Sequence, residues 1–328
     1  MKKWLRIFLY VIPVPVLLIS LFIGPAGSVH ASDIFNILFH GNANSVDSVQ
    51  LILFDVRTPR ILLVFLVGAA LSASGCAMQS VFRNPLVDPY ILGLSSGAAF
   101  GAALSVALPW LPLQMSAFIF GIGASGLSYL MAIRKKELSS ISLILSGVIV
   151  GGIFTALLTI IQFISDPFKL QSIVQWIMGN FQNANWDKLR ISFLPILLGC
   201  AVLFIYRWRL NVISLGDDEA KTSGIHPGWN KIAILAASAL ACSAGVAVSG
   251  IIGLYGLIVP HIVRMISGVD NRTAIPLNMA LGGSLLVIID DISRSLMLFE
   301  LPIGVFTVLL GAPVFIYLMK KSNIGWER

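Results

Sequence analysis

Long runs without a single Asp, Glu, Lys or Arg constrain this chain more than any other feature. Apolar runs of this kind occupy residues 7–32, 61–82, 89–133, 138–165, 191–206, 232–263, 273–289 and 301–319. One helix needs roughly 20 apolar residues to cross the hydrocarbon core of a bilayer. A helix also satisfies its own backbone where no water is present, so the runs read as crossing helices. Two of them are too long for one crossing. The first breaks at Pro109 and Pro112 and the second near Gly250 and Gly253, where a helix is easily interrupted. Splitting both predicts ten spans, at approximately 5–24, 58–80, 91–108, 113–133, 139–164, 191–207, 231–249, 252–267, 273–296 and 302–320. The expected fold is thus an all-α membrane bundle of ten transmembrane helices, with residues 1–328 forming one transmembrane domain. Charged residues make up only 11% of the chain, against about 25% in a typical soluble domain.

An even number of spans puts both termini on one side, and Lys2, Lys3, Arg6, Lys320 and Lys321 mark that side as cytoplasmic. Sixteen of the 22 Lys and Arg then fall on the inner side and 6 on the outer, while the acids divide 7 and 8. The net charge of +7 is therefore a positive-inside bias, and no nucleic-acid partner is expected. The expected location is the cytoplasmic (inner) membrane. The basic start, the apolar run and Val29-His30-Ala31 imitate a cleavable signal peptide. The run 7–24 is long for such a peptide, so it reads as the first span.

Three longer segments lie outside the spans, 25–57 and 165–190 on the outer side and 208–230 on the inner, and none is large enough for a soluble domain. Any ATPase must be a separate subunit. Lys221-Thr222 imitates the end of a phosphate loop, but Ser214 and Ala220 stand where that loop needs glycines. Cys76, Cys200 and Cys242 fall inside spans without metal-ligand spacing and read as packing residues, so neither a metal site nor a cofactor is expected. An intramembrane enzyme would need a nucleophile with its base, paired histidines or facing carboxylates, and no such set is seen. The chain is not expected to be an enzyme.

Small residues recur at helical spacing in Gly68, Ser72 and Gly75, in Gly93, Gly97 and Gly101, and in Gly245, Ser249 and Gly253. Such stripes let helix backbones approach closely in lipid. Two segments break their helices instead. Arg83-Asn84-Pro85-Leu86-Val87-Asp88-Pro89 carries two prolines, and Gly250 to Arg264 places glycines ahead of Pro260 and His261. Broken backbone at membrane depth is tolerated only beside protein or a water-filled cavity, so the first segment either lies by a pathway or is a tight cytoplasmic turn. His261 alone, without Cys, Asp or Glu partners, reads as structural. Asp290 and Asp291 in the ninth span leave open an ion-coupled secondary transporter, because intramembrane acids are functional by default. A local ion pair with Arg294 is the simpler reading.

The chain resembles the FecCD-type permease family, the membrane subunits of ABC importers for ferric siderophores, heme and cobalamin. The matching residues are Arg57-Thr58-Pro59-Arg60, Gly68-Ala69-Ala70-Leu71 to Gly75, Gln79, Arg83-Asn84-Pro85-Leu86, Gly93 with Gly97-Ala98, Gly256 to His261, Asp290, Arg294, Glu300 to Gly304 and Gly311-Ala312-Pro313. The resemblance implies two ABC ATPase subunits inside, a periplasmic or lipoprotein substrate-binding protein outside, and a second permease subunit completing a homodimer or paralogous heterodimer in membrane lipid. It implies that Arg57, Arg60 and Arg294 dock acids of the binding protein, through exposed guanidinium groups that pair with carboxylates. It implies that the segment from Leu215 to Ile225 couples to the ATPase, with Gly216, Asp217, Ala220 and Gly224 in that element and Gly216, Ala220 and Gly224 forming its close-approach surface. It places Asn84, Pro85 and Leu86, with Ser140, at the gate of the pathway. The substrate order it suggests is ferric siderophore, then cobalamin or another corrinoid, then heme, then an oxyanion such as molybdate.

Overall fold

The computed structural model describes residues 3–24, 46–134, 137–296 and 300–321. Lys2, Val29-His30-Ala31 and residues 25–45 of the expected outer segment lie outside the described residues. Helices α1 (Lys3–Val11) and α2 (Pro13–Ser20) make one nearly continuous rod, relayed across Pro13 by Val16 N donating to Ile12 O at 3.3 Å. Helix α3 (Val46–Leu51) passes through a π-helical stretch at Ile52–Arg57 into α4 (Thr58–Phe82). The expected span began at 58, whereas the apolar helix begins at Val49. A count that stops at every charge cannot see that Arg57 is buried here rather than solvated.

Helix α4 is the central post and is buried on nearly every side. Its small residues make that possible. A Cβ added at Gly68 would strike the carbonyl of Gly282, and one at Gly75 the carbonyl of Gly256. The chain then turns through Pro89–Leu92 into α5 (Leu94–Ala107) and α6 (Leu113–Ala132). Gly97 and Gly101 of α5 lie against the Phe120 and Ser116 carbonyls, so the stripes through Gly68 and Gly97 are close-packing seams, whereas Gly245 only touches the Val67 side chain. A two-residue antiparallel hairpin, Ile133–Arg134 with Glu137–Leu138, leads to α7 (Ser140–Ile164). Phe100, Phe120 and Phe154 pin α5, α6 and α7 together, with ring centroids 5.0 to 6.3 Å apart.

Helix α8 (Pro167–Ile177) is capped by the Asp166 carboxylate, and α9 (Trp186–Leu215) by Asn185. After α10 (Asp217–Thr222) come α11 (Pro227–Ser249), α12 (Tyr255–Ser267), α13 (Asn271–Ser295) and α14 (Ile303–Lys321). The expected break between α11 and α12 falls where Gly250 (φ +72°) and Leu254 (φ 61°) turn the backbone. Gly250 has no room for a side chain, because a Cβ there would meet the Trp176 carbonyl.

Each of the ten expected spans overlaps described helix, the first being shared by α1 and α2, but not every one is a full-length helix. Among the described residues six helices are long and apolar enough to cross by themselves, and the apolar stretches of α5 (Leu94–Ala107) and α12 (Tyr255–Ser267) are shorter. The shortening of α5 and α12 has a physical source. Both begin inside the bundle, where Gly93 lies beside Gly151 and Gly256 beside Leu71 and Pro89, so part of each pass is made by non-helical backbone buried in protein.

Candidate functional site: two ends of a helical bundle

Four elements meet at one end, here the arginine end. The π-helical stretch is pinned to α9 by Trp186 Nε1 donating to Phe54 O at 2.9 Å, and Thr58 Oγ1 donates back to Leu53 O at 2.7 Å. Arg57 and Arg60, three residues apart, then both point inward. Arg60 uses four N–H groups: Nε and Nη2 donate to Asp290 Oδ2 and Oδ1 at 3.0 and 2.8 Å, and Nη1 and Nη2 donate to Glu300 Oε1 and Oε2 at 2.9 and 3.0 Å. Arg294 pairs with Asp291 and stands 3.8 Å from Asp290, and its Nη2 donates to Ser20 Oγ at 2.9 Å. Ser20 Oγ in turn donates to Asp291 at 2.6 Å. Arg57 Nη1 donates to Leu21 O at 2.7 Å. The network ties α2, α4, α13 and the approach to α14 into one unit.

The expected exposed guanidinium groups are therefore not present in the chain by itself. Arg57, Arg60 and Arg294 are all buried, and Arg60 already holds two carboxylates. The reason is charge complementarity inside the fold, since a desolvated guanidinium must be paired. Asp290 pairs with Arg60 and Asp291 with Arg294, so both acids stand in local ion pairs. Ser20 and Glu300 were missed as members of this network. The residue spacing around Glu300 carried no signal, because Arg60 and Glu300 are 240 positions apart.

The opposite end, the α10 end, is built differently. Arg83 closes α4 in the left-handed region (φ 52°), with its N–H bonding back to Gln79 and Ser80 carbonyls. Asn84 Oδ1 accepts from Leu86 N at 2.9 Å and Asp88 Oδ1 from Tyr90 N at 2.8 Å, so side chains supply the hydrogen bonds the broken backbone lacks. Leu86 is exposed, while Asn84, Pro85 and Ser140, at the start of α7, are half-buried. Ile91 O lies against Gly147 of α7, which seats this segment on the helix that Ser140 begins. Nearby, Arg264 Nη2 donates to Cys76 O and Ser80 Oγ, each at 3.1 Å, and locks α12 to α4. His261 is buried with its ring 6.1 Å from Phe315, which suits a packing role.

Helix α10 caps this end as a short acidic turn. The expected close-approach surface needs correction, because Gly216 is buried and Ala220 is fully buried against its own chain. Asp217 pairs with the buried Lys231 of α11 at 2.6 Å and fixes the element in place. What α10 shows outward is Asp218, Glu219, Lys221 and Gly224, with Leu215 just before it. Gly224 serves the turn, since its φ of +74° is costly for other residues and a Cβ there would meet open space. Leu215 (68% exposed), the first residue of the expected coupling segment, and Trp229 (71% exposed), which was not singled out from sequence, flank α10. An apolar residue beside a charged segment is the signal that could have found Trp229.

A polytopic helical bundle with buried charges at one end and a short exposed helix at the other is the architecture of a transport permease. The family comparison makes this specific: residues 11–321 match the model of the FecCD transport family, and the chain belongs to that family. It is 42% identical over 290 residues to the molybdate import system permease protein of Haemophilus influenzae, covering 86% of this chain and 85% of that protein. It is 36% identical over 318 residues to the hemin transport system permease protein of Yersinia pestis, covering 94% of each. A solved metal-chelate type ABC transporter in an inward-facing conformation superimposes with a TM-score of 0.86 at 38% identity, over 98% of this chain and all of that one. The chain is thus a multi-pass permease of the ABC importer class.

Proposed function

We propose that this permease imports a metal chelate across the cytoplasmic membrane as one half of a dimer, driven by two separate ATPase subunits and supplied by an external binding protein. The observation that carries the reading is the full-length match to FecCD permeases together with the internal pairing of Asp290 and Asp291. With both acids already held by arginines, an ion-coupled relay would first have to break a buried pair, which weighs against the ion-coupled alternative. In this reading both termini and α10 are cytoplasmic and the arginine end faces out. A ferric siderophore is the first substrate, with corrinoid and heme next. The molybdate importer relative gives an oxyanion a specific claim as second reading.

Support for the partner surfaces comes from what each end exposes. The outward acids of α10, with Leu215 and Trp229, form a small protruding surface for the ATPase, while Gly216, Asp217, Ala220 and Gly224 give the element its shape. Asn84, Pro85, Leu86 and Ser140 gather where α4 ends and α7 begins and form the inner gate. The exposed apolar side of α7, including Leu145, Val148 and Ile153, suits the second permease subunit. Arg57, Arg60 and Arg294 act in docking by exchange. Glu300 is the most exposed acid of the network, its side chain 21% accessible against 2% for Asp290, so a carboxylate of the binding protein replaces it on Arg60.

The test is transport in proteoliposomes holding the permease with its ATPase and binding protein, with radiolabelled ferric siderophore, cobalamin, hemin and molybdate compared. Uptake that requires internal ATP and persists after ion gradients are collapsed is the expected result. Uptake that continues without ATP and stops with an uncoupler refutes it.

A further inference from the structure

Between α6, α9 and α11 lies an open groove of about 620 Å³ with almost entirely apolar walls. Its size is that of a ligand site, roughly 300–1,000 Å³. The α9 side is a single stripe, Gly199, Val202 and Tyr206, at helical spacing. The next residue on that stripe is Arg209. Its guanidinium lies over the Tyr206 ring at 4.8 Å and reaches across to α11, where Nη1 donates to Asn230 Oδ1 at 3.1 Å. Among the described residues no carboxylate pairs with this exposed cation. Gly126 on α6 keeps the groove wide, since a Cβ there would meet nothing within 4 Å.

Depth fixes what such a groove faces. Tyr129 and Tyr206 line its end nearest α10, and the exposed Trp208 and Trp229 stand beside that end. Exposed Trp and Tyr gather at the membrane–water boundary, so this end lies at headgroup level and the rest extends into hydrocarbon. A cation at headgroup level above an apolar slot is complementary to one kind of molecule, an anionic phospholipid. Its phosphate meets Arg209 and one acyl chain fills the groove. We propose that this groove is a binding site for an anionic phospholipid of the leaflet at the α10 end. The site does not depend on which way the protein faces.

The experiment is native mass spectrometry of the full-length permease released from micelles containing equal phosphatidylglycerol and phosphatidylcholine. Wild-type protein is expected to retain phosphatidylglycerol about fivefold over phosphatidylcholine, the discrimination that one interfacial cation supplies. Arg209→Gln, whose amide still reaches Asn230, brings the two lipids near parity. Gly126→Leu fills the groove and lowers retention of both, with the melting temperature of each variant confirming the fold. Equal retention by the wild type, or a preference that survives Arg209→Gln, overturns the proposal. So does loss of a protein dimer in Gly126→Leu with lipid retention unchanged, which would make a second copy the occupant.

Discussion

The two ends of this bundle handle charge in opposite ways. At the arginine end Arg60, Arg294, Asp290 and Asp291 are buried and paired with one another, and their interactions join elements far apart in sequence. At the α10 end Asp218, Glu219 and Lys221 stand in solvent, and the pair of the buried Lys231 with the partly exposed Asp217 fastens the short helix. Buried pairs are costly to break because the remaining charge stays desolvated, whereas exposed pairs contribute little. The first end is therefore rigid and joined to the fold, and the second is free to be gripped without disturbing it.

The largest expected effect comes from breaking the buried network. Arg60→Ala leaves Asp290 and Glu300 without their cation and is expected to destabilise the permease by about 3–5 kcal/mol, read as thermal unfolding in detergent. A loss below about 1 kcal/mol would mean that the network is solvated, and the contrast between the ends would fail.

Next comes the close packing that holds the two ends in register. Gly75→Leu forces a side chain into the Gly256 carbonyl, and backbone cannot give way as a side chain tip can. The expected cost is about 1–3 kcal/mol, measured in the same assay, with Gly123→Leu, where nothing lies within 4 Å, as the near-neutral control.

Glu300→Gln sharpens the comparison further. It removes the accessible competitor for Arg60 while leaving Asp290 in place, so binding-protein affinity is expected to rise several-fold with a stability loss of about 1 kcal/mol. Unchanged or weaker affinity, measured by surface plasmon resonance on the reconstituted complex, argues against exchange.

The smallest effects belong to the other end. Lys221→Ala removes an exposed pair with Asp218 and is expected to change stability by less than about 0.5 kcal/mol. Asp218→Lys with Glu219→Lys should be similarly quiet in unfolding yet lower the ratio of substrate moved to ATP hydrolysed. By contrast Ala220→Trp, into a fully buried site, should cost stability first, and a stable but uncoupled Ala220→Trp would restore the surface role expected from sequence.

Much of this was legible before any coordinates. Charge-free runs located the helices, because lipid excludes unpaired charge. Pro and Gly located the breaks at Gly250 and around Pro85, because the backbone there cannot continue a helix. The glycine stripes announced close packing. The failures share one cause: sequence reveals that a residue is charged or small, not what faces it. Arg60 looked like a surface cation because its two carboxylates come from positions 290 and 300, and Ala220 looked like a contact surface because the sequence does not say which side of so short a helix faces its own chain. The helical path into α4 starts earlier than expected, at Val49, because the buried Arg57 interrupts the apolar pattern without ending the helix.

By itself, then, the sequence determined the solvent, the class of fold and the family, because these depend on the patterning of polarity along the chain. Only tertiary structure decided which charges are neutralised, which glycines are contacts and which face of α10 is offered outward. Those depend on partners brought together by packing, and a buried ion pair is a property of two positions that neither residue carries alone.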